Sequence, residues 1–330
     1  MDSNGTKRVS APRRRNVVLG GLATLLAGAA ALPASAAAAG TGRTRGGGGR
    51  AMHFLLVHGA WHSGAHWAKV QQALVERGHG VYAIDLPGHG MSTRFPASYF
   101  TDGQPTLAQD LSPSRNVTLQ EAADAVKAAL KALRRRAHAE DRVIVVAHSM
   151  GGAIVTRALQ QVPHLVDHVV YVAALVPTLL DSAGAYLSLP EAAGASGKGL
   201  YIGDPAQTGA VRINPRSTDP AYLAELRTTY YTGVAEEEFM PYAQALCPDQ
   251  PLSFTATSVG ATADRWGGIA RTYVRCSRDK ALTLAVQDRM IRDADRLTPR
   301  SRFSQVTLDT GHAPFVTHPH ELADLMTRLR

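Results

Sequence analysis

Three residues of this chain could together perform nucleophilic catalysis, and each follows a short apolar run that predicts a buried strand. They are Ser149, Asp279 and His312, in that chain order. A serine hydroxyl becomes a strong nucleophile when a histidine takes its proton, and a carboxylate orients that histidine and stabilises its charged form. The pattern therefore predicts Ser149 as nucleophile, His312 as general base and Asp279 as the orienting acid.

The segment around Ser149 resembles a tight turn between a strand and a helix. Residues 145–153 read VVAHSMGGA and depart from the pattern Gly-x-Ser-x-Gly only at Ala147, where the extra methyl group is small. Attack on an ester creates an oxyanion that needs hydrogen-bond donors already in place. We expect the backbone N–H of Met150 to be one donor and that of Ala60, in the loop after the first strand, to be the other.

Simpler interpretations exist for each residue. A serine at a strand–helix junction can be only a helix cap, and a loop histidine can be purely structural. Other acids also compete with Asp279. Asp85 precedes the serine in the chain and Asp309 falls within the last predicted strand, whereas Asp181 remains a genuine alternative.

Three histidines recur every four residues, a spacing that would align metal ligands on a helix. They are His58, His62 and His66, but a predicted strand end and two glycines interrupt the segment. We expect neither a metal site nor a cofactor.

From residue 51 onward, short apolar runs alternate with amphipathic helical segments. Six runs begin at residues 53, 80, 142, 168, 270 and 303, and the fourth extends over 168–176. Such alternation predicts an α/β fold, with a mainly parallel sheet covered by helices on both faces. Residues 177–267 interrupt the alternation and predict an inserted helical cap.

The cap should shape the substrate pocket. Candidate pocket residues are Gly59, Trp61, Leu86, Phe239, Trp266 and Phe315. For each large side chain in this set, packing in the core is the alternative.

The N-terminus has the features of an export signal. Three arginines, Arg13 to Arg15, precede an apolar stretch over 17–32 and an Ala-x-Ala cleavage site at 34–36, which predicts a twin-arginine-type signal peptide over 1–36. The stretch is short for a spanning helix, although an uncleaved anchor is the alternative. We therefore expect the export machinery as a partner, a secreted protein and no membrane span after cleavage.

A linker over 37–50 precedes the folded domain, predicted over 51–330. The net charge of +8 is concentrated in residues 1–50, which carry +7, so the domain is nearly neutral and nucleic-acid binding is not expected. Cys247 and Cys276 are compatible with a disulfide or with two buried thiols.

With these motifs, the chain resembles the α/β-hydrolase superfamily, and more narrowly the branch of plant methylesterases, hydroxynitrile lyases and bacterial esterases. The similarity covers most of 52–330 and is sharpest at 54–90, 145–154, 273–291 and 309–319. It implies a sheet that begins at the strand before the oxyanion loop. That branch commonly has a small residue other than glycine at the position of Ala147.

The resemblance also separates two chemistries. The lyases of this branch carry a threonine where this chain has Gly59 and a lysine where it has Ala313. Because this chain lacks both, the resemblance implies a serine esterase. Together with the predicted signal peptide, we expect a secreted enzyme that acts on small to medium esters through an acyl-enzyme. A lyase and a non-catalytic ligand-binding homologue are the alternatives.

Overall fold

A computed structural model describes residues 51–329 of the chain. The predicted signal peptide and the linker lie outside the described residues. The strands are β1 (Met52–Val57), β2 (Gly80–Ile84), β3 (Arg142–His148), β4 (His168–Val172), β5 (Ala210–Arg212), β6 (Asp249–Pro251), β7 (Arg271–Cys276) and β8 (Ser304–Leu308).

Eleven α-helices occur within 51–329. They are α1 (Ala68–Glu76), α2 (Leu119–Arg136), α3 (Gly151–Gln161), α4 (Ala183–Leu187), α5 (Pro205–Thr208), α6 (Pro220–Tyr230), α7 (Glu236–Gln244), α8 (Leu252–Ala256), α9 (Leu284–Leu297), α10 (Pro314–Thr317) and α11 (Pro319–Thr327). None of the helices in this part of the chain is long and apolar enough to cross a membrane.

Six strands form one parallel sheet in the order β2-β1-β3-β4-β7-β8, which confirms the predicted fold class. Helix α1 packs against α11 and α2 packs against α3, so helices flank the sheet. The central strands β3 and β4 are almost entirely buried, as continuous apolar runs require. This arrangement brings the carboxyl ends of all six strands to one edge.

Helix α2 begins where its sequence predicts. The hydroxyl of Thr118 accepts from the backbone N–H of Glu121 at 3.1 Å, and the Glu121 carboxylate accepts from the N–H of Thr118 at 2.7 Å. These reciprocal bonds satisfy two of the N–H groups that a helix start leaves without partners.

The cap lies between β4 and β7. It contains helices α4 to α8, and in addition a small antiparallel pair formed by β5 and β6, which the helical prediction did not include. Cys247 and Cys276 are both buried free thiols.

A buried ion pair holds the cap strands together. Arg212 of β5 lies opposite Asp249 of β6, and its guanidinium donates to both carboxylate oxygens at 2.6 and 2.8 Å. It also donates to the carbonyls of Leu107 and Asp110, in the connection between β2 and α2. Both side chains of the pair are at most 2% exposed. One guanidinium thus links two cap strands to the connection between β2 and α2.

We predict that Arg212→Ala lowers the free energy of unfolding by about 3–5 kcal/mol, because it leaves the Asp249 carboxylate buried without its partner. Urea unfolding followed by circular dichroism measures the change. Arg278→Ala is the control, since Arg278 pairs with Asp309 at the surface and such pairs contribute less than about 1 kcal/mol. Equal effects of the two substitutions would contradict the prediction.

Candidate active site

Ser149 occupies a strained turn between β3 and α3. Its φ angle is +50°, in the left-handed region that non-glycine residues rarely adopt. The turn is held by the next strand and its extension: the Ser149 N–H donates to the Val172 carbonyl at 3.3 Å, and the Ser149 carbonyl accepts from the Leu175 N–H at 2.9 Å. Strain that the surrounding structure maintains in this way is typical of functional sites.

Glycines make the close packing around this turn possible. A Cβ atom on Gly59 would lie 2.6 Å from the Cβ of Ser149, and one on Gly151 would lie 2.4 Å from the His58 carbonyl oxygen. A Cβ on Gly152 would lie 2.4 Å from the carbonyl oxygen of Leu175. The loop after β1 and the start of α3 can therefore approach Ser149 only with glycine at these positions.

His312 and Asp279 form a buried pair. The Nδ1 of His312 lies 2.7 Å from Oδ2 of Asp279, and the other carboxylate oxygen accepts from the N–H groups of Ala281 and Leu282 at 2.8 and 2.9 Å. These three contacts fix the position and orientation of the carboxylate. Because Nδ1 faces Asp279, Nε2 is the His312 nitrogen that can exchange a proton with another group.

The competing acids have other partners. Asp181 accepts from the hydroxyl of Ser258 at 2.7 Å, and the exposed Asp309 pairs with Arg278. Asp85 accepts from backbone N–H groups in the loops that follow β1 and β2. Asp279 is thus the one of the four predicted candidates that contacts His312.

The serine and the histidine line one cavity of about 650 Å³. Both predicted oxyanion donors, Ala60 and Met150, line the same cavity. Within residues 51–329, no acceptor is bonded to either backbone N–H. The arrangement can therefore bring a carbonyl group to the serine with two donors available for its oxygen.

Only one of the large predicted pocket side chains lies on the cavity wall. Trp61 lines it, and Gly59 packs directly against Ser149. The structure places Leu86, Phe239, Trp266 and Phe315 in the core instead, each at most 3% exposed. Apolar side chains are suited both to a cavity wall and to the core, and the position of these residues along the chain did not show which of the two they occupy.

Specific contacts explain these core positions. The indole N–H of Trp266 donates to the Tyr171 hydroxyl at 2.8 Å, and the Arg271 guanidinium lies 4.3 Å from the Trp266 ring centroid. Phe315 packs on the ring of His148, and Phe239 on that of Tyr231.

The cap supplies cavity residues that sequence reasoning missed. They include Leu187, Leu189, Pro190, Lys198, Tyr201, Val211 and Tyr230. Trp61 and Tyr230 form an aromatic wall, with ring centroids 5.4 Å apart, and Tyr230 continues it to His312 at 6.0 Å. Burial raises the pKa of Tyr230 well above 10, so its phenol stays neutral.

The three regularly spaced histidines are buried and each bonds to backbone. Burial lowers the pKa of His58, His62 and His66, so all three are neutral at physiological pH. Between residues 51 and 329, no group of three or more His, Cys, Asp or Glu side chains is arranged to hold a metal ion.

A strained serine turn, with an acid–histidine pair beside it at the carboxyl edge of a parallel sheet, defines a class of α/β enzymes that place their chemistry at strand ends. The chain belongs to the Alpha/beta hydrolase family, whose family model matches residues 54–325. This confirms the resemblance found in the sequence.

Relatives narrow the comparison to the methylesterase branch. The chain is 25% identical to Methylesterase 9 of Arabidopsis thaliana, over 84% of this chain and 97% of the relative, and 26% identical to Norfluorocurarine synthase 2 of a Strychnos species, over 84% and 94%. Among solved structures, a pyrethroid hydrolase from Sphingobium faniae matches with a TM-score of 0.64 and 23% identity, over 84% and 96% of the two chains. The chain therefore has methylesterase homologues and shares the fold of the solved hydrolase.

We predict that Asp279→Asn lowers kcat for ester hydrolysis by about 10,000-fold, because the amide favours the wrong imidazole tautomer and cannot stabilise the imidazolium. Steady-state kinetics on a p-nitrophenyl ester measures the loss. Asp181→Asn and Asp309→Asn are matched controls that should retain activity near that of the parent. Loss of activity in Asp181→Asn, with Asp279→Asn still active, would reject the assignment.

Proposed function

We propose that the protein is a secreted serine esterase that hydrolyses small to medium carboxylic esters through an acyl-enzyme. The observation that carries this proposal is the buried 2.7 Å contact between His312 and Asp279, on the cavity that also contains Ser149. The methylesterase homologues support ester hydrolysis as the reaction.

In the proposed reaction, the Ser149 Oγ attacks the ester carbonyl carbon and its proton passes to Nε2 of His312. Asp279 stabilises the resulting imidazolium, and the N–H groups of Ala60 and Met150 bind the oxyanion. The bond to the alcohol oxygen then breaks as His312 returns the proton to it. Water attacks the acyl-serine with His312 as base, and the acid leaves while the serine is reprotonated. These reaction steps need no cofactor.

The composition of the cavity wall favours an ester whose acyl or alcohol group is apolar. Leucine, proline, alanine and aromatic side chains predominate along the wall. Lys198 is the one lysine, arginine, aspartate or glutamate among the described residues that line it. A cavity of about 650 Å³ falls in the usual range for sites that bind small molecules.

The geometry gives no support to lyase chemistry. A threonine at position 59 would begin with a Cβ atom 2.6 Å from that of Ser149, so the turn would have to shift. Ala313, where the lyases carry a lysine, is 1% exposed and offers no cation. An ester is therefore the substrate that we propose.

Secretion is proposed from the sequence of residues 1–36 alone. If the twin-arginine signal is functional, replacing Arg14 and Arg15 by lysine should retain the protein inside the cell. Immunoblots of culture medium and cells measure this, and undiminished secretion of the double variant would contradict a twin-arginine route.

We predict that Ser149→Ala abolishes hydrolysis of p-nitrophenyl butyrate and labelling by a fluorophosphonate probe, with no change in melting temperature. Ser196→Ala is the matched control, because Ser196 lines the same cavity and should remain active. Full activity of Ser149→Ala would reject the proposal. Cyanide release from mandelonitrile, measured in parallel, would instead identify a lyase.

A further inference from the structure

The predicted oxyanion donor at Ala60 belongs to the same peptide unit as the carbonyl of Gly59. In a trans peptide the C=O and N–H groups point in opposite directions within one plane. Whatever binds the Gly59 oxygen therefore also determines where the Ala60 N–H points.

Two groups donate hydrogen bonds to that oxygen. The Gly59 carbonyl accepts from Nδ1 of His58 at 2.8 Å and from the N–H of His62 at 3.3 Å. Since a carbonyl can only accept, Nδ1 of His58 carries the proton. Its Nε2 in turn accepts from the N–H of Leu86 at 3.0 Å, so both ring nitrogens are satisfied in a single neutral tautomer.

The surroundings of His58 keep the imidazole in this form. The ring is 1% exposed, and burial together with the nearby His89 lowers its pKa well below the ordinary value. A group that cannot become charged at physiological pH makes a constant hydrogen bond. The start of α3 also packs closely against the His58 carbonyl oxygen, since a Cβ atom on Gly151 would lie 2.4 Å from it.

We propose that His58 is a positioning residue that orients and polarises the peptide unit supplying the Ala60 oxyanion donor. This inference rests on the proposed esterase function. A hydrogen bond to a peptide oxygen draws electron density from the unit and makes its N–H a better donor. The hydrogen bond of His58 thus acts on the oxyanion through the peptide, without touching substrate.

Neighbouring carbonyls are held by different groups. The Ala60 carbonyl accepts from Nδ1 of His62 at 2.7 Å, and the Trp61 carbonyl accepts from the cap N–H of Cys247 at 2.7 Å. Trp61 itself has a φ of +61°, a second left-handed residue in the site. These bonds shape the rest of the loop, whereas the His58 side chain contacts the donor's own peptide unit.

Two substitutions separate this role from general packing. In His58→Asn, the amide nitrogen can take the position of Nδ1 and donate to the Gly59 carbonyl. In His58→Gln, the amide oxygen can accept from the Leu86 N–H, but the hydrogen bond to the Gly59 carbonyl is lost. Loss of a whole oxyanion donor lowers kcat about 100- to 1,000-fold, and His58 acts on the donor only indirectly. We therefore expect kcat to fall about 10- to 100-fold in His58→Gln. In His58→Asn the decrease in kcat should be at least ten times smaller than in His58→Gln.

KM should change little in either variant, because the interaction strengthens in the transition state. A trifluoromethyl ketone, which forms an anionic hemiketal with a serine, should bind His58→Gln more weakly by the same factor as kcat/KM falls. Equal kcat in both variants, or higher kcat in His58→Gln, would overturn the proposal.

The wild-type protein offers a test that does not depend on folding of the variants. Nitrogen chemical shifts of ¹⁵N-histidine-labelled protein should show His58 neutral at pH 7, with the proton on Nδ1 and not on Nε2. The opposite tautomer would reject the positioning role. If the wild type neither hydrolyses esters nor labels at Ser149, the proposed function fails instead, while the tautomer still reports the geometry.

Discussion

The close approach of three backbone segments at Ser149 is the constraint on which the site depends. The serine turns in the left-handed region at the end of β3, and Gly59, Gly151 and Gly152 leave no space for a Cβ atom beside it. Because the segments are this close, Ser149 and the predicted oxyanion donors, Ala60 and Met150, line one cavity. A bulkier residue at any of the three glycines would separate groups that the proposed reaction needs together.

The cap also helps to shape the core loop of the site. It donates a backbone N–H to the Trp61 carbonyl, and the Trp61 indole donates to the Val211 carbonyl at 2.9 Å. Tyr231 donates to the Nε2 of His62 at 3.1 Å, while His62 holds the Ala60 carbonyl. Hydrogen bonds therefore connect the cap, which forms part of the cavity wall, to the loop that carries the predicted oxyanion donor Ala60. Changes in the cap should affect turnover as well as substrate preference.

Sequence reasoning predicted the parts of this structure that have a periodic or local cause. The parallel sheet follows from apolar runs, and the start of α2 from the Thr118 capping box. It could not place individual apolar side chains: Trp266 was a pocket candidate but lies in the core beside Arg271. The fourth strand was predicted to reach residue 176 but ends at Val172, because Ala173 has a φ of +41°. An apolar run does not reveal such a turn, since the following residues remain buried.

The proposed mechanism requires a covalent bond between the substrate and Ser149. Rapid acid quenching during turnover of a p-nitrophenyl ester, followed by trypsin and mass spectrometry, measures it. We predict that the peptide over residues 143–157 gains the mass of the acyl group, and that fragmentation places the group on Ser149. Hydrolysis with the acyl group on another residue, or a burst of p-nitrophenol without any acylated peptide, would contradict the account.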